Sequence, residues 1–508
     1  MLKPGFDTKR YVDAQAAKIC ERVGKFDRKL YLEFGGKLLF DYHAARVLPG
    51  YEPNAKVQIL KKLEKESEVV FCVSARDIQK GRIAGTFGIS YRDFTLKCID
   101  DLRAIGLDVS TVVINLFSGE SSALRLRSYL EKNGLNVYMR KVIPGYPSNL
   151  KLIASRRGFG EGRRIKTKKP IVIVTGAGPG SGKMATCLAM VYQDKENGID
   201  SGYAKFETFP IWNLPLNHPV NMAYEAATAD LKDYNLVDPH HLKAYGVKAV
   251  NYNRDVENFE VIEKILKLII SKDNFMNTYK SPTDMGVNMA KAGITSDMAC
   301  REAARQEVVR RYFRHYLELI QGKEQKETVE TVKKIMKKLG LKPESRKVVA
   351  PARAAMESAR KEGKGSGGVF CGSAIQLSNG RIITGKNSVL LHSESSLILN
   401  AIKHLGKIPE DMHLISKPVI EEIKLLKTHI LGDRYANLNV DETLVALSIS
   451  STTNPMTKFA LEQLRKLRGT EMHSTHVMHK GDAGPLSKLG INMTSDGLQP
   501  VAKLYFKE

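Results

Sequence analysis

The sequence predicts an α/β protein, and three observations carry that prediction. Five consecutive β-branched residues, Ile171 to Thr175, run into Gly176-Ala177-Gly178-Pro179-Gly180-Ser181-Gly182-Lys183 and then into a helix-forming run, Met184 to Met190. Upstream, apolar strands alternate with amphipathic helices, the period of a parallel sheet covered by helices on both faces. Downstream, a hairpin pattern opens a second strand-bearing region after a long charged helical stretch. The expected division is an α/β domain over 1–295, a helical segment and linker over 296–365, and a second α/β domain over 366–508.

A chain of 508 residues has ample core for two to four domains. No run of about 18 apolar residues occurs, so no membrane span is expected. The N-terminal MLKPGFDTKRYVDAQAAK lacks the apolar block of a signal peptide. Six cysteines, at 20, 72, 98, 187, 300 and 371, lie far apart with no C-x-x-C. That favours reduced thiols and a cytoplasmic location over a disulfide or zinc-ribbon framework. The 79 basic and 55 acidic residues give a net charge of +24, which favours anionic partners.

Strand, glycine loop, lysine and helix is the layout of a phosphate-binding loop. The glycines let backbone N–H groups turn toward an anion. The helix adds its partly positive N-terminus, and Lys183 adds a full charge. Gly176, Gly178, Gly180, Ser181, Gly182 and Lys183 are the candidate cofactor-binding residues, with ATP or another nucleotide as the expected ligand. The match to G-x-x-x-x-G-K-[ST] departs at two places: its first glycine falls on Ala177, and its magnesium-binding hydroxyl falls on Met184. A thioether does not replace a hydroxyl on a hard cation, so magnesium dependence stays open. A glycine turn packed closely on a sheet, with a solvated lysine, fits the same residues.

Taken in order, residues 7–29 read as a helix and Lys29–Phe34 as a strand ending in Gly35-Gly36. Asp41, His43 and Arg46 cluster in the next turn. A helix follows over 53–66, then strand 68–74 with Arg76 and Asp77 just beyond it. Helix 91–105, strand 111–117, Ser118-Gly119, helix 122–133 and strand 137–142 complete the run. Ligands in parallel sheets bind beyond the carboxyl ends of the strands, which gathers Arg76, Asp77, Ser118, Gly119 and the glycine loop into one expected cleft. Lys151 to Lys169 holds eight Lys/Arg and a single acid, Glu161. It reads either as a flexible segment that folds over an anion or as a plain surface loop.

Beyond the loop, Tyr203 to Asn221 interleaves rings, prolines, Asn and His around the only tryptophan, Trp212. A substrate-binding loop and a packed irregular connection both fit. Asp238, Arg254, Asp255 and Asp284 fall near element ends in polar, glycine- or proline-bearing stretches. With Lys183 they are the candidate catalytic residues, placed to contact metal or a phosphorylated substrate. Adjacent His240 and His241 point in different directions on regular structure, which argues against a two-histidine metal site. Residues 296–321 read as an arginine-bearing helix, 322–363 as charged helix, and Ser366-Gly367-Gly368 as a linker.

In the C-terminal region VFCGSAIQLSNGRIITGKN is a hairpin turning at Ser378-Asn379-Gly380, and His392-Ser393-Glu394 opens an apolar helix. This order resembles the cytidine-deaminase-like fold. In active deaminases the histidine binds zinc, the glutamate moves protons, and a P-C-x-x-C pair completes the site. Here the matching strand and loop is expected at Leu444–Pro455, which holds no cysteine. Deaminase chemistry and zinc are therefore not expected, and no metal ligands are assigned. Lys386, Asn387, Ser450, Thr452, Thr453 and Asn454 are left as a candidate polar pocket. His473, His476 and His479 recur on a strand-like stretch whose alternation scatters the rings.

YLEFGGKLLFDYHAARVLPG, VTGAGPGSGKMATC, KFETFPIWNLPLNHPVNMAYEAATADL, VNYNRDVE, YKSPTDMGVNM and GRIITGKN together resemble bacterial uncharacterised protein family 0371, over nearly the whole chain. The resemblance brings no activity with it. Some members carry the label ATP-dependent peptidase, but this sequence has no H-E-x-x-H and no serine or cysteine protease constellation. The functional expectation is a cytoplasmic, homo-oligomeric enzyme of the phosphotransferase or ligase class acting on an anionic small molecule. The alternative is a non-catalytic protein binding nucleic acid or a phosphometabolite.

Overall fold

The computed structural model describes residues 4–26, 29–36, 38–84, 89–433 and 435–498. Two compact units emerge, one formed by 4–228 with 233–304 and the other by 229–232 with the residues from 305 onward.

The first unit opens with α1 (Thr8–Val23), whose Asp7 side chain accepts from the Arg10 amide as its cap. With short helices between some of them, the main elements then follow as β1 (Lys29–Phe34), β2 (Ser67–Ser74), α2 (Tyr91–Ala104), β3 (Val109–Phe117), α3 (Ser121–Lys132), β4 (Asn136–Lys141), β5 (Ile171–Gly176), α4 (Lys183–Lys195) and β6 (Ser201–Phe206). After these come α5 (Pro219–Ala227), the short antiparallel pair β7 (Asn235–Val237) and β8 (Val250–Tyr252), with α6 (Pro239–Tyr245) between them, then α7 (Asn253–Ile269) and β9 (Gly286–Val287). Seven strands form one parallel sheet in the order β9-β6-β1-β5-β2-β3-β4.

The β-branched run Ile171–Thr175 becomes β5, in the centre of that sheet. Successive residues of β2 and β6 are buried without alternation, as strands covered on both faces require. Because all seven strands run the same way, the glycine pair after β1, the Ala75 turn after β2, the loop after β5 and Glu207 after β6 lie at one edge of the sheet. This edge positions the candidate site.

Helix α8 (Asp297–Ile320) carries the chain from the first unit into the second, where α9 (Lys326–Lys338) and α10 (Val349–Lys361) follow. The hairpin expected from the sequence forms as β10 (Gly372–Gln376) and β11 (Ile382–Lys386), and α11 (Ser393–Gly406) follows it. Next come α12 (Val440–Ser450), β12 (Glu471–His476), α13 (Lys480–Lys488) and β13 (Asn492–Leu498). The second sheet is mixed, in the order β11-β10-β12-β13. Strand β10 is antiparallel to both neighbours, and β12 is parallel to β13.

One expectation fails here. Leu444–Pro455 is not a strand and loop: its first half lies in helix α12, which starts at a capping box. Asn439 accepts from the Glu442 amide, and the Glu442 carboxylate receives the Asn439 amide. Those two reciprocal bonds, just before Leu444, decide the helix.

Candidate functional site

At the end of β5 the chain turns so tightly that side chains are excluded. A Cβ on Gly176 would lie 2.5 Å from both the Cys72 carbonyl and Ser181 Oγ, and one on Gly178 would lie 2.4 Å from the Tyr91 hydroxyl. Gly180 and Gly182 have φ of +75° and +83°, a region that favours glycine. Asn115 from β3 braces the loop, donating through Nδ2 to the Ser181 carbonyl at 2.8 Å and to Thr186 Oγ1 at 3.1 Å. Ser181 Oγ is buried and makes no hydrogen bond among the described residues. Helix α4 starts at Lys183, whose Nζ lies 3.5 Å from the Gly178 carbonyl. The first-turn amides of α4 have no carbonyl behind them in the helix, which is the general condition for receiving an anion.

Beside the loop lies a buried charge cluster of which the sequence singled out Asp255 alone. In register, Glu33 of β1 sits opposite Val174 of β5 on one side and Lys205 of β6 on the other. Tyr203 donates to Glu33 Oε2 at 2.7 Å. The Lys205 ammonium is ion-paired with Asp255 and lies 3.5 Å from Glu207 Oε1. Tyr252 joins them, accepting from Lys205 and donating to Glu207 at 3.2 Å each.

Three carboxylates thus surround one ammonium. Burial works against the charge on Lys205, but Asp255, Glu207 and Glu33 outweigh it and hold its pKa above the usual lysine range. Burial raises Glu207 to about 7; Lys205 opposes the rise and Asp255 adds to it. Both Glu33 and Lys183 exert fields on Cys72 and Cys187, so the cluster and the loop share one electrostatic neighbourhood. The available signal was a lone charge inside an apolar strand: Glu33 in LYLEF and Lys205 in YAKF.

The candidate catalytic residues distribute over several places. Lys183 is in the loop and Asp255 is in the buried cluster. Asp238 is fully buried as the cap of α6, accepting from the His240 and His241 amides and from Thr283 Oγ1. Asp284, in the next turn, accepts from the Tyr245 hydroxyl and the Lys280 amide. Together with Arg22, Trp212 and Tyr279 it lines a groove of about 370 Å³. Arg254 is ion-paired with Asp233. Of the residues near Gly36, Asp41 caps the helix Tyr42–Val47 and pairs with Lys56 at 2.9 Å.

The basic stretch before the loop is pinned at several points. Arg164 pairs with Asp194 at 2.7 Å, and the Lys168 and Lys169 amides both donate to Glu68 Oε1. Its charges therefore do not all face solvent.

In the second unit the expected polar pocket does not assemble. Lys386 binds Ser358 and Glu362, Asn387 pairs with Cys371 and Val369 backbone, Ser450 accepts from the Ser416 amide, and Asn454 caps the helix Pro455–Glu462. What converges instead is His392, Glu394 and Asp482, one ligand atom of each lying within 4.8 Å of the others. His473 and His476 fall on opposite sides of β12. His473 Nδ1 meets Thr494 Oγ1 at 2.9 Å, while His476 Nε2 lies 3.9 Å from Glu394 Oε1.

Among the described residues no helix is long and apolar enough to cross a membrane. The family model described as domain of unknown function DUF1846, N-terminal, matches residues 4–340, and its C-terminal counterpart matches residues 344–505. A UPF0371 protein of Clostridioides difficile is 46% identical over 505 residues, covering 99% of this chain and 100% of its own. Those of Clostridium tetani and Fusobacterium nucleatum are each 45% identical, covering 99% and 100% of this chain and all of their own length. Matching both halves of the family model, and aligning end to end with such relatives, the chain belongs to the UPF0371 family of bacterial proteins.

Proposed function

We propose that Gly176–Lys183 binds the phosphate of a nucleotide or phosphorylated small molecule, and that the chain is an enzyme of the phosphoryl-transfer or nucleotide-dependent ligase class. The observation that carries this reading is the position of the loop. It leaves the central strand of a parallel sheet at the carboxyl edge and enters a helix whose first residue is Lys183. Loop amides and Lys183 hold the phosphate, and Ser181 Oγ supplies a further donor. Glu207, with Lys205 and Asp255, is the group a proton-transfer step draws on, since a carboxyl raised to about 7 exchanges its proton near neutrality. Met184 offers no oxygen to magnesium, so a metal in this reaction is held by the phosphates and by carboxylates.

The deaminase-like reading of the second unit rests on the β11-β10-β12-β13 order and on His392 and Glu394 at the start of the helix after the hairpin. It does not supply the reaction.

The test is a thermal-shift measurement with inorganic phosphate, ATP and GTP, with and without magnesium, on the wild type and on Lys183→Ala. A ligand at 100 times its Kd stabilises by about 2.7 kcal/mol, a readily visible rise in Tm. A rise lost in Lys183→Ala supports the loop. No rise, or the same rise in the variant, sinks it. Binding to oligonucleotides that falls steeply with salt, without binding of free nucleotides, would replace the enzyme reading with a nucleic-acid one.

A further inference from the structure

We propose that the second unit holds one zinc ion on His392, Glu394 and Asp482. Two of the side chains come from the start of α11 and the third from α13. His392 is the residue before α11, Glu394 is in the first turn of α11, and Asp482 is in the first turn of α13. Only the tertiary fold brings them together. Their donor set, one imidazole nitrogen and two carboxylate oxygens, is one that zinc accepts, and it leaves a further position open for water.

Both carboxylates are oriented by neighbours, as metal ligands are. The Ser474 and Ser393 hydroxyls donate to the two oxygens of Glu394 at 2.6 and 3.0 Å. The Val440 amide donates to Asp482 Oδ1 at 2.9 Å, leaving Oδ2 facing His392 Nδ1 at 2.8 Å.

Charge balance points the same way. Glu394 is 0% and Asp482 1% exposed. Among the described residues the ion pairs of these two acids are with histidines alone, His392 and His476. Two buried carboxylates without a lysine or arginine are costly, and a divalent cation removes that cost.

These donors are not the deaminase set. The P-C-x-x-C cysteines are missing and a carboxylate from α13 stands in, with Glu394 as a ligand rather than a proton carrier. The other mixed cluster, His315 with Glu318 and Glu324, is a weaker candidate because Glu318 already pairs with Arg314 on the same helix and Glu324 accepts from Thr328.

The experiment uses the full chain, stripped with a chelator, reloaded with zinc and read by metal analysis and calorimetry. One zinc per chain is expected. His392→Ala and Asp482→Asn should each weaken binding by well over about 100-fold, beyond the ~10–100-fold loss typical of a supporting residue. Glu324→Gln should bind as the wild type does. Asp482→Asn keeps an acceptor for the Val440 amide. If it nevertheless fails to fold, the half-buried His392→Ala decides alone. No stoichiometric zinc in the reloaded wild type, unchanged affinity in His392→Ala, or loss in Glu324→Gln would each overturn the proposal. Lys183→Ala should retain its zinc, so this result stands or falls separately from the glycine loop.

Discussion

Glu33 on β1 and Lys205 on β6 face each other in register across two adjacent parallel strands, and both are buried. Glu33 adds to the field that holds the charge on Lys205, while the ion pairs of Lys205 are with Asp255 and Glu207. Removing the single cation leaves the buried Glu33 and Glu207 and the half-buried Asp255 without it. Lys205→Met should therefore destabilise the first unit by about 3–5 kcal/mol, the usual cost of stripping one partner from a buried pair. Urea denaturation of the variant checks this. A change below about 1 kcal/mol would mean that the acids are relieved by water or by protonation.

Glu207 gives the pH dependence its sign. Its folded pKa of about 7 lies above the ordinary 4.5. Between those values the folded state binds more protons than the unfolded one, so this group's stabilising contribution is full below about 4.5 and is lost as pH rises through 7. Glu207→Gln should remove that slope. Comparing stability at pH 5 and pH 8, the wild type should lose about 2–3 kcal/mol more from this site than the variant does. Equal slopes would show that Glu207 is ionised throughout.

Gly180 and Gly182 separate backbone strain from crowding. Both have positive φ, but a Cβ at 180 meets open space whereas one at 182 would lie 2.7 Å from the Asn115 side chain. Gly180→Ala should cost about 1 kcal/mol, the penalty of the left-handed conformation alone. Gly182→Ala should cost more and should also abolish the phosphate-dependent rise in Tm, because displacing Asn115 releases the Ser181 carbonyl. Equal melting points for the two variants would contradict the packing described for the loop.

Asp238 offers a contrast between a cap and a catalyst. Asp238→Ala strands two amides and the Thr283 hydroxyl, and should cost about 2–3 kcal/mol. Asp238→Asn, which keeps an acceptor for the amides, should recover most of it. Ligand-induced stabilisation should be the same in both variants as in the wild type. A selective loss of ligand binding in Asp238→Asn would place this residue in the site.

Local pattern carried the first unit a long way. Alternating strands and helices, the β-branched run at 171–175 and the glycine loop all lie where the sequence puts them, because each is fixed by neighbours within a few residues. The acid–lysine cluster was not legible in the same way. Glu33 comes opposite Lys205 only once β1 is inserted beside β6, and Asp255 reaches Lys205 from α7, so no spacing along the chain encodes the cluster. In the second unit, Leu444–Pro455 misleads because its apolar and hydroxyl residues suit a strand, while the Asn439–Glu442 cap upstream commits it to helix. Asp482 went unnoticed for the reason that hid Lys205: its partner His392 is a long way back along the chain.

The strand order has a consequence for synthesis on the ribosome. β1 precedes the β2-β3-β4 half of the sheet along the chain, yet its partners β5 and β6 come after it. At ordinary elongation rates Leu30–Phe34 waits roughly ten to thirty seconds with both edges open. It is an aromatic and aliphatic segment bearing one charge, Glu33. That charge, buried at the finished site, is of the kind that discourages a nascent strand from pairing with a stranger before its own neighbours arrive.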